Sequence, residues 1–290
     1  MPPKYLVLGH ITHDRRPGGN TIGGSVYYGA ITASKLGCTA AMVTSCSKEF
    51  PFPRELATVN KSISYSSNTT IFHNKYIDVD QDKYRIQYVE STANPLAISD
   101  VPPQWKRPEI VHFGPLVGEI DSNLICHFNN SLTIASIQGW TRRWDRNGKI
   151  QQLEWKGDNV LPYVDAAICS TEDLHSYSDI TRWKDMVPIL ILTKGQKGAT
   201  LYTQGNTFEF DSIPIKQIDP TGAGDVFTAA FIIEYKETGD HEHSARFATI
   251  AAGKSVSGYQ GSRIPDRLTI DSVSVSYTHL RAHETLRYLV

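Results

Sequence analysis

Short apolar runs recur along this chain, and most of them end at glycine or at a small polar residue. Such runs are typical of strands in a parallel sheet, because other layers cover both faces of that sheet. Strands of this kind are predicted over residues 5–9, 40–45, 109–115, 132–137, 164–169 and 189–193. Helical apolar spacing runs from Gly24 to Gly37, begins again near Ala223 and covers residues 243–257. The alternation predicts a three-layer α/β domain with a mostly parallel central sheet.

Residues 62–90 have a different pattern. Thr69–Ile77 and Tyr84–Val89 alternate apolar and polar side chains on either side of a polar turn. A period of two predicts an antiparallel hairpin with one polar face. Because the hairpin interrupts the α/β pattern, we expect either a small β-sheet lid inserted at about 62–90 or an ordinary hairpin at the sheet edge.

Composition narrows the classes of function. The chain has 290 residues and a formal net charge of −1, so no basic surplus suggests a nucleic-acid or membrane partner. Four cysteines without CxxC or zinc spacing favour reduced thiols in a cytoplasmic protein. The sequence contains no apolar run of about 18 residues, so we expect no transmembrane helix. Its first residues lead directly into a predicted strand, so we expect no signal peptide. No dinucleotide-binding glycine motif follows the first strand, and no P-loop is present.

The stretch Asp219–Asp225, which reads DPTGAGD, carries the strongest chemical signal. A helix start leaves backbone N–H groups without partners, and its dipole favours negative charge. The small residues Gly222, Ala223 and Gly224 would let an anion approach these groups. Asp225, in the first turn, is suited to take a proton from a hydroxyl that attacks a phosphoryl group. Alternatively, Asp225 only favours the helix N-terminus and the glycines form a tight turn.

Together with the Ala-Ala pair three residues later, this stretch resembles the C-terminal signature of the PfkB/ribokinase family of carbohydrate kinases. The resemblance implies a ribokinase-like fold and transfer of the γ-phosphoryl group of ATP to a sugar or polyol hydroxyl, with Mg²⁺ as cofactor. It implies that Asp225 is the catalytic base and that the amides of Gly222, Ala223 and Gly224 form an anion hole. It also implies that a loop near Gly261 and Ser262 holds adenine, or K⁺ through carbonyl oxygens shared with Asp219 and Thr221.

Earlier segments extend the resemblance to the substrate sites. Asp14 follows the first strand, where the family binds substrate hydroxyls; a carboxylate can accept two hydrogen bonds from a vicinal diol. Gly23 and Gly24 enter a helix and would let the substrate approach the backbone. If the resemblance does not hold here, Asp14 is a turn residue. The nucleotide-binding turn is implied at three positions in the Thr-x-Gly-x-x-Gly segment, namely Thr193, Gly195 and Gly198.

The acidic position that helps to place magnesium has two candidate registers. Many family members carry Asn-x-x-Glu after a strand, whereas this chain continues through Cys169 and Ser170 to Glu172 and Asp173. Cys169 takes the place of the asparagine if Glu172 is the acid, and Ser170 takes it if Asp173 is. We favour Glu172, which would hold Mg²⁺ through water. A helix N-cap with acidic first-turn residues also fits this segment.

His112–Ile120 and Gln138–Arg142 look most like the myo-inositol kinase branch of the family. Arg142 either binds substrate oxygens or phosphate, or is a solvated loop residue. Two other functions are kept open: a ribokinase- or nucleoside-type kinase, and a non-catalytic relative that binds nucleotide or sugar. The resemblance also allows a homodimer through the lid. Residues 276–290 look like a translated sequencing-adapter tail, so we expect one domain within residues 1–275.

Overall fold

A computed structural model describes residues 2–16, 19–79, 82–203 and 205–274. The strands are β1 (Tyr5–Leu8), β2 (Thr12–Arg16), β3 (Gly19–Gly23), β4 (Ala40–Cys46), β5 (Asn60–Tyr65), β6 (Thr70–Val79), β7 (Asp82–Ser91), β8 (Ile110–Phe113), β9 (Leu132–Ser136), β10 (Arg142–Trp144), β11 (Ile150–Gln152), β12 (Ala166–Ser170), β13 (Ile189–Thr193), β14 (Ala199–Thr203) and β15 (Asn206–Phe210). The α-helices are α1 (Ser25–Lys35), α2 (Ser178–Trp183), α3 (Ala223–Thr238) and α4 (His241–Ser255), and residues 267–274 are also helical. The tail predicted at 276–290 lies outside the described residues.

The central sheet has nine strands in the order β15-β14-β13-β12-β9-β8-β1-β4-β5. Every pairing from β13 to β5 is parallel, and β14 and β15 add two antiparallel strands at one edge. The predicted mostly parallel sheet is therefore confirmed. The strands β1, β4 and β8 are buried along their whole length because both faces of the sheet are covered there, whereas the edge strands β5 and β15 are largely polar.

Two hydrophobic cores lie on the two faces of this sheet. In β1, Tyr5 and Val7 belong to one core, and Leu6 and Leu8 belong to the other. The first core is built with α1, α3 and α4, and α3 contacts α1, α4 and β9. The second core contains Trp183 of α2 and the apolar residues of several 3-10 turns. These layers form the three-layer α/β arrangement that the sequence predicts.

A separate four-stranded sheet, the lid sheet, has the order β3-β2-β6-β7. The predicted hairpin is confirmed as β6 and β7, which pair antiparallel. The predicted lid boundary of 62–90 is wrong, because β2 and β3 come from the chain before α1 and residues 62–65 belong to β5 of the central sheet. β2 reads THDRR, so its polar side chains hide the strand from a search for apolar runs.

Close backbone packing at the carboxyl ends of β1 and β8 positions the segments that lead into α1. A Cβ atom on Gly9 would lie 2.3 Å from the carbonyl oxygen of Gly114, and one on Gly24 would lie 2.3 Å from that of His10. Gly24 also has a φ of 97°, which side-chain-bearing residues rarely adopt. The chain can therefore turn tightly from the lid sheet into α1, at the edge of the sheet where α/β proteins bind ligands.

Candidate active site

The helix α3 begins at Ala223, as predicted, and Gly222 precedes it with a left-handed φ of 79°. Glycine is required there for a second reason, since a Cβ atom would lie 2.3 Å from the Tyr28 ring. The Ala223 amide donates to the Pro220 carbonyl oxygen at 3.1 Å. Among the described residues, no hydrogen-bond acceptor is found for the amides of Gly222 and Gly224. These two amides, rather than all three that were predicted, are open to an anion.

Asp225 occupies the first turn of α3 and keeps part of its surface exposed. Burial of its carboxyl group raises the pKa of Asp225 to about 6, and the negative charge of Asp173 adds to this effect. A hydrogen bond with Ser25 and the charge of Arg142 act in the opposite direction. A carboxylate with this pKa is mostly ionised at neutral pH and still basic enough to accept a proton.

Arg142, at the start of β10, connects the central sheet with the lid sheet. Its Nη2 donates to Asp173 Oδ1 at 3.2 Å, and its Nη1 donates to Gln87 Oε1 of β7 at 3.1 Å. Both side chains of the Arg142–Asp173 ion pair are 4% exposed. Arg142 is therefore a buried residue held in place, and not a solvated loop residue.

The structure favours the second register of the acidic segment after β12. Ser170 donates to Asp173 Oδ2 from its amide at 2.8 Å and from its hydroxyl at 2.7 Å. The reason is that β12 continues through Ser170, so that Cys169 is buried within the strand. Glu172, which the sequence analysis favoured, is exposed, and its carbonyl oxygen accepts a hydrogen bond from Gln152. Asp173 is the acid whose charge reaches Asp225.

A second acidic residue of the same stretch, Asp219, has a contrasting environment. Its Oδ2 accepts a hydrogen bond from Arg16 of β2 at 2.9 Å, and its Oδ1 accepts one from the Thr221 amide at 3.0 Å. Arg16 also donates to the Thr221 hydroxyl at 3.0 Å. Burial alone would raise the pKa of Asp219, but the hydrogen bonds from Thr221 and the charges of Arg16 and Arg263 outweigh it and lower this pKa.

The carbonyl oxygens of this turn contact Arg263. Its guanidinium donates to the carbonyl oxygens of Asp219 and Thr221, and to that of Gly258 at 2.8 Å. The Arg263 side chain is 3% exposed. The K⁺ site that the resemblance implies at Asp219 and Thr221 therefore does not fit these residues, because a buried cation of the chain already occupies their oxygens.

Asp14 lies buried in β2, opposite β3. A Cβ atom on Gly23 would lie only 2.7 Å from Asp14 Oδ2, so glycine is needed for the carboxylate to pack against this strand. Gly24 follows directly and is the residue before α1. The structure thus brings Asp14, Gly23 and Gly24 together on the lid side of the cleft, and their substrate-binding role stays a prediction.

The predicted nucleotide-binding residues fall into two groups. Thr193 ends β13 and donates to the Cys169 carbonyl oxygen at 3.2 Å; Gly195 and Gly198 follow with positive φ. A Cβ atom on Gly198 would lie 1.8 Å from the Phe210 carbonyl oxygen, so this turn needs glycine for packing alone. Gly261 is buried against α1 with its amide donating to the Tyr27 hydroxyl at 3.1 Å, whereas Ser262 is exposed. The Gly261 amide is therefore already bonded within the protein, and the contact of this loop with a nucleotide stays a prediction.

The sequence analysis missed several polar residues that the structure places around the two acids, namely Arg16, Ser25, Tyr28 and Arg263. None of them belongs to a recognisable spacing pattern. Within the described part of the chain, no group of three or more His, Cys, Asp or Glu side chains could hold a metal ion. The same residues include no helix long and apolar enough to cross a membrane.

Comparisons with known proteins agree with this geometry. Residues 157–267 match the profile of the pfkB family carbohydrate kinases. The cytidine kinase of Thermococcus kodakarensis is 23% identical over 248 residues, covering 79% of this chain and 87% of that protein. A pyrophosphate-dependent kinase of the ribokinase family, solved with a pyrophosphate analog and myo-inositol, has a TM-score of 0.74 at 25% identity and covers 93% of this chain and 99% of its own. Arabidopsis thaliana ribokinase with ribose and ATP has a TM-score of 0.68 at 19% identity, with 94% and 98% covered.

The fold is therefore ribokinase-like, with a mostly parallel central sheet, helices on both sides and a small separate sheet. Residues 157–267 carry the sequence features of the pfkB family carbohydrate kinases, and the resemblance stated from the sequence is confirmed over that segment.

Proposed function

We propose that this chain transfers the terminal phosphoryl group of ATP to a hydroxyl of a sugar or polyol, with myo-inositol as the first candidate. The observation that carries the proposal is the placement of Asp225, whose pKa is raised to about 6, in the same turn as the open amides of Gly222 and Gly224. A base next to an anion site is what phosphoryl transfer to a hydroxyl requires.

In this mechanism Asp225 accepts the proton of the attacking hydroxyl. A bond forms between the hydroxyl oxygen and the γ-phosphorus, while the bond to the leaving β-phosphate oxygen breaks. The amides of Gly222 and Gly224 stabilise the charge on the transferring group, and removal of one such donor typically costs about 10²–10³ in rate. The hydrogen bond between Ser25 and Asp225 helps to orient the base.

The acceptor is proposed to bind between the lid sheet and the central sheet. Asp14 would accept hydrogen bonds from neighbouring hydroxyls, and Gly23 and Gly24 would let the ring approach the backbone. Arg142, fixed by Asp173 and Gln87, would contact substrate oxygens at the other side. Contact between the two sheets would exclude water, which otherwise competes as the phosphoryl acceptor.

Mg²⁺ would neutralise the phosphate charge of the donor. Mg²⁺ usually keeps several waters and binds substrate phosphates with one or two carboxylates. In the register that the structure favours, Asp173 is the acid after β12 that would help to place a magnesium-bound water. Thr193, Gly195 and Gly198 would contact the nucleotide.

Two alternatives are supported by the comparisons. Pyrophosphate is a candidate donor, because a structural neighbour that covers 93% of this chain is a pyrophosphate-dependent kinase. A nucleoside is a candidate acceptor, because the cytidine kinase of Thermococcus kodakarensis covers 79% of this chain.

We also propose, from the family resemblance, that the protein is cytoplasmic and forms a homodimer through the lid sheet.

The test offers Mg·ATP or Mg·pyrophosphate with myo-inositol, ribose, fructose 6-phosphate, adenosine or cytidine, and detects the phosphorylated product by mass. We expect turnover with one acceptor, and Asp225→Asn should lower kcat by about 10²–10⁴-fold because it removes the general base. Wild-type turnover by the variant would overturn the assignment of the base. Donor binding without turnover in any combination would instead support a non-catalytic binding protein.

A further inference from the structure

Arg263 ends a 3-10 helix, Gly261–Arg263, beside the turn that leads into α3. Its Nη1 donates to the carbonyl oxygens of Asp219 and Gly258, and its Nη2 donates to that of Thr221. Three carbonyl oxygens from two loops therefore converge on one buried guanidinium. This convergence is unusual for a side chain that pairs with a carboxylate, since Asp219 Oδ2 lies farther away, at 3.7 Å from Nη1.

The bond to Thr221 fixes the direction of the Gly222 amide. The carbonyl of Thr221 and the N–H of Gly222 belong to one peptide unit, and in a planar trans peptide the two groups point in opposite directions. The described residues contain no cis peptide bond. By holding the Thr221 oxygen, Arg263 directs the Gly222 N–H away from itself, to the opposite face of the turn.

The converging oxygens need a cation between them. Carbonyl oxygens carry partial negative charge and repel one another at short range, and the Asp219 carboxylate adds a full negative charge. The Tyr28 ring lies 5.8 Å from the Arg263 guanidinium carbon and also packs against Gly222. The cation, the aromatic ring and the glycine thus form one packed unit behind the turn.

We infer that Arg263 is a positioning residue that acts as a built-in cation for the turn before α3, so that turnover needs no added monovalent cation. The inference rests on the proposed function, because it assigns to the Gly222 amide a role in phosphoryl transfer. It replaces the K⁺ site implied by the family resemblance at Asp219 and Thr221, whose oxygens already bind Arg263.

The first test compares cations on the wild-type protein and on Arg263→Ala. Wild-type kcat should be the same in potassium, sodium and choline chloride at equal ionic strength. Arg263→Ala should lower kcat about 100-fold with little change in the acceptor KM, because a displaced anion-hole donor acts on the transition state. Guanidinium at millimolar concentration should raise the kcat of this variant about tenfold, and sodium chloride of equal ionic strength should not.

A wild-type kcat that rises several-fold with potassium would overturn the inference. So would wild-type kcat in Arg263→Ala, or a loss without guanidinium rescue while the melting temperature is unchanged. Arg267→Ala is the matched control, because Arg267 pairs with Glu234 at 2.7 Å and Glu237 at 2.8 Å, away from the turn. Its kcat should equal that of the wild type.

Two further arms keep the test decisive. If Arg263→Ala does not fold, Arg263→Lys, which keeps the cation, should exceed Arg263→Gln about tenfold in kcat; equal values would overturn the inference. If the wild-type protein turns over no substrate, the proposed function fails, and Arg263 is judged by calorimetry with inorganic pyrophosphate. Binding should then be about tenfold weaker in Arg263→Ala and recover with guanidinium, whereas equal binding would contradict the role.

Discussion

Asp219 and Asp225 lie six positions apart in one stretch, yet the protein gives their carboxyl groups opposite properties. Asp219 is bonded to Arg16 and Thr221 and lies close to Arg263, so its pKa is lowered. The pKa of Asp225 is raised to about 6. Burial of the carboxyl group is the main cause and the negative charge of Asp173 adds to it, while the hydrogen bond with Ser25 and the charge of Arg142 oppose it.

The difference is the basis for assigning the anchoring role to Asp219 and, in the proposed mechanism, the proton transfer to Asp225. A carboxylate with a lowered pKa is a poor base. Asp219 accepts hydrogen bonds from Arg16 and from the Thr221 amide and lies 3.7 Å from the buried Arg263, so it is a structural anchor. A carboxylate with a raised pKa is destabilised as an ion and gains by accepting a proton. The chain therefore separates anchoring from proton transfer within seven residues, and substitutions can test this separation.

Asp219→Asn should have the largest effect on stability. The substitution leaves the buried Arg263 cation without its carboxylate, and breaking such a pair typically costs about 3 kcal/mol. Folding lowers the pKa of Asp219 from its ordinary value of 3.8. The contribution of this carboxylate to the free energy of unfolding is therefore fully present above pH 3.8 and is lost as the pH falls through the lowered pKa. Urea denaturation at pH 7 should show the loss, and the two proteins should converge in acid. Equal stability of Asp219→Asn and the wild type at pH 7 would contradict the anchor role. Arg16→Gln should lower the free energy of unfolding by less, because Arg16 is the more exposed partner of Asp219.

Asp225→Asn should have an effect of the opposite sign. Folding raises the pKa of Asp225 from 3.8 to about 6, so its stabilising contribution is complete below pH 3.8 and is lost as pH rises through 6. An asparagine does not ionise, and the variant should therefore be more stable than the wild type by about 3 kcal/mol at pH 8. The gain should vanish near pH 4. Urea denaturation at both pH values measures it, and a variant less stable at pH 8 would contradict the environment described for Asp225.

Asp173→Asn should have the smallest effect, on the pH profile. The substitution removes the negative charge of Asp173, which should lower the pKa of Asp225. It also leaves the positive charge of Arg142 without its ion-pair partner, and this charge should lower the pKa of Asp225 further. The acidic limb of kcat/KM, expected near pH 6 in the wild type, should move down by up to about one pH unit. Glu172→Gln is the matched control, because that neighbouring carboxylate is exposed. If the control moves the limb and Asp173→Asn does not, the register favoured by the structure is wrong.

Features encoded by neighbouring residues could be predicted from the sequence. The start of α3 at Ala223 and the position of Asp225 in its first turn follow from a contiguous stretch of small residues before an apolar run. Six of the seven parallel strands were recognisable because they are largely buried on both faces; the seventh, β5, is mostly polar and was assigned to the lid. In both cases local pattern and tertiary environment agree.

Features that depend on distant contacts were not predictable. Arg263 reaches the Asp219 carbonyl from 44 positions away, and Arg16 reaches the Asp219 carboxylate from 203 positions away. The choice between Glu172 and Asp173 depended on one residue at the end of β12, which propensities do not resolve. The strand β2 was missed because its sequence, THDRR, is polar and gives no apolar run.

The parallel pairing of β2 with β6 has a consequence for recombination between relatives. The lid sheet is not formed by one continuous segment of the chain. Its strands come from two segments, and α1, β4 and β5 lie between them in the sequence. A chimera that exchanges only residues 62–90 would join half of a foreign sheet to half of the native one and would cut β5. Transfer of acceptor preference between relatives should therefore succeed only when residues 12–23 and 70–91 are exchanged together. The two segments of the lid sheet must be exchanged as one unit although they are separate in the sequence.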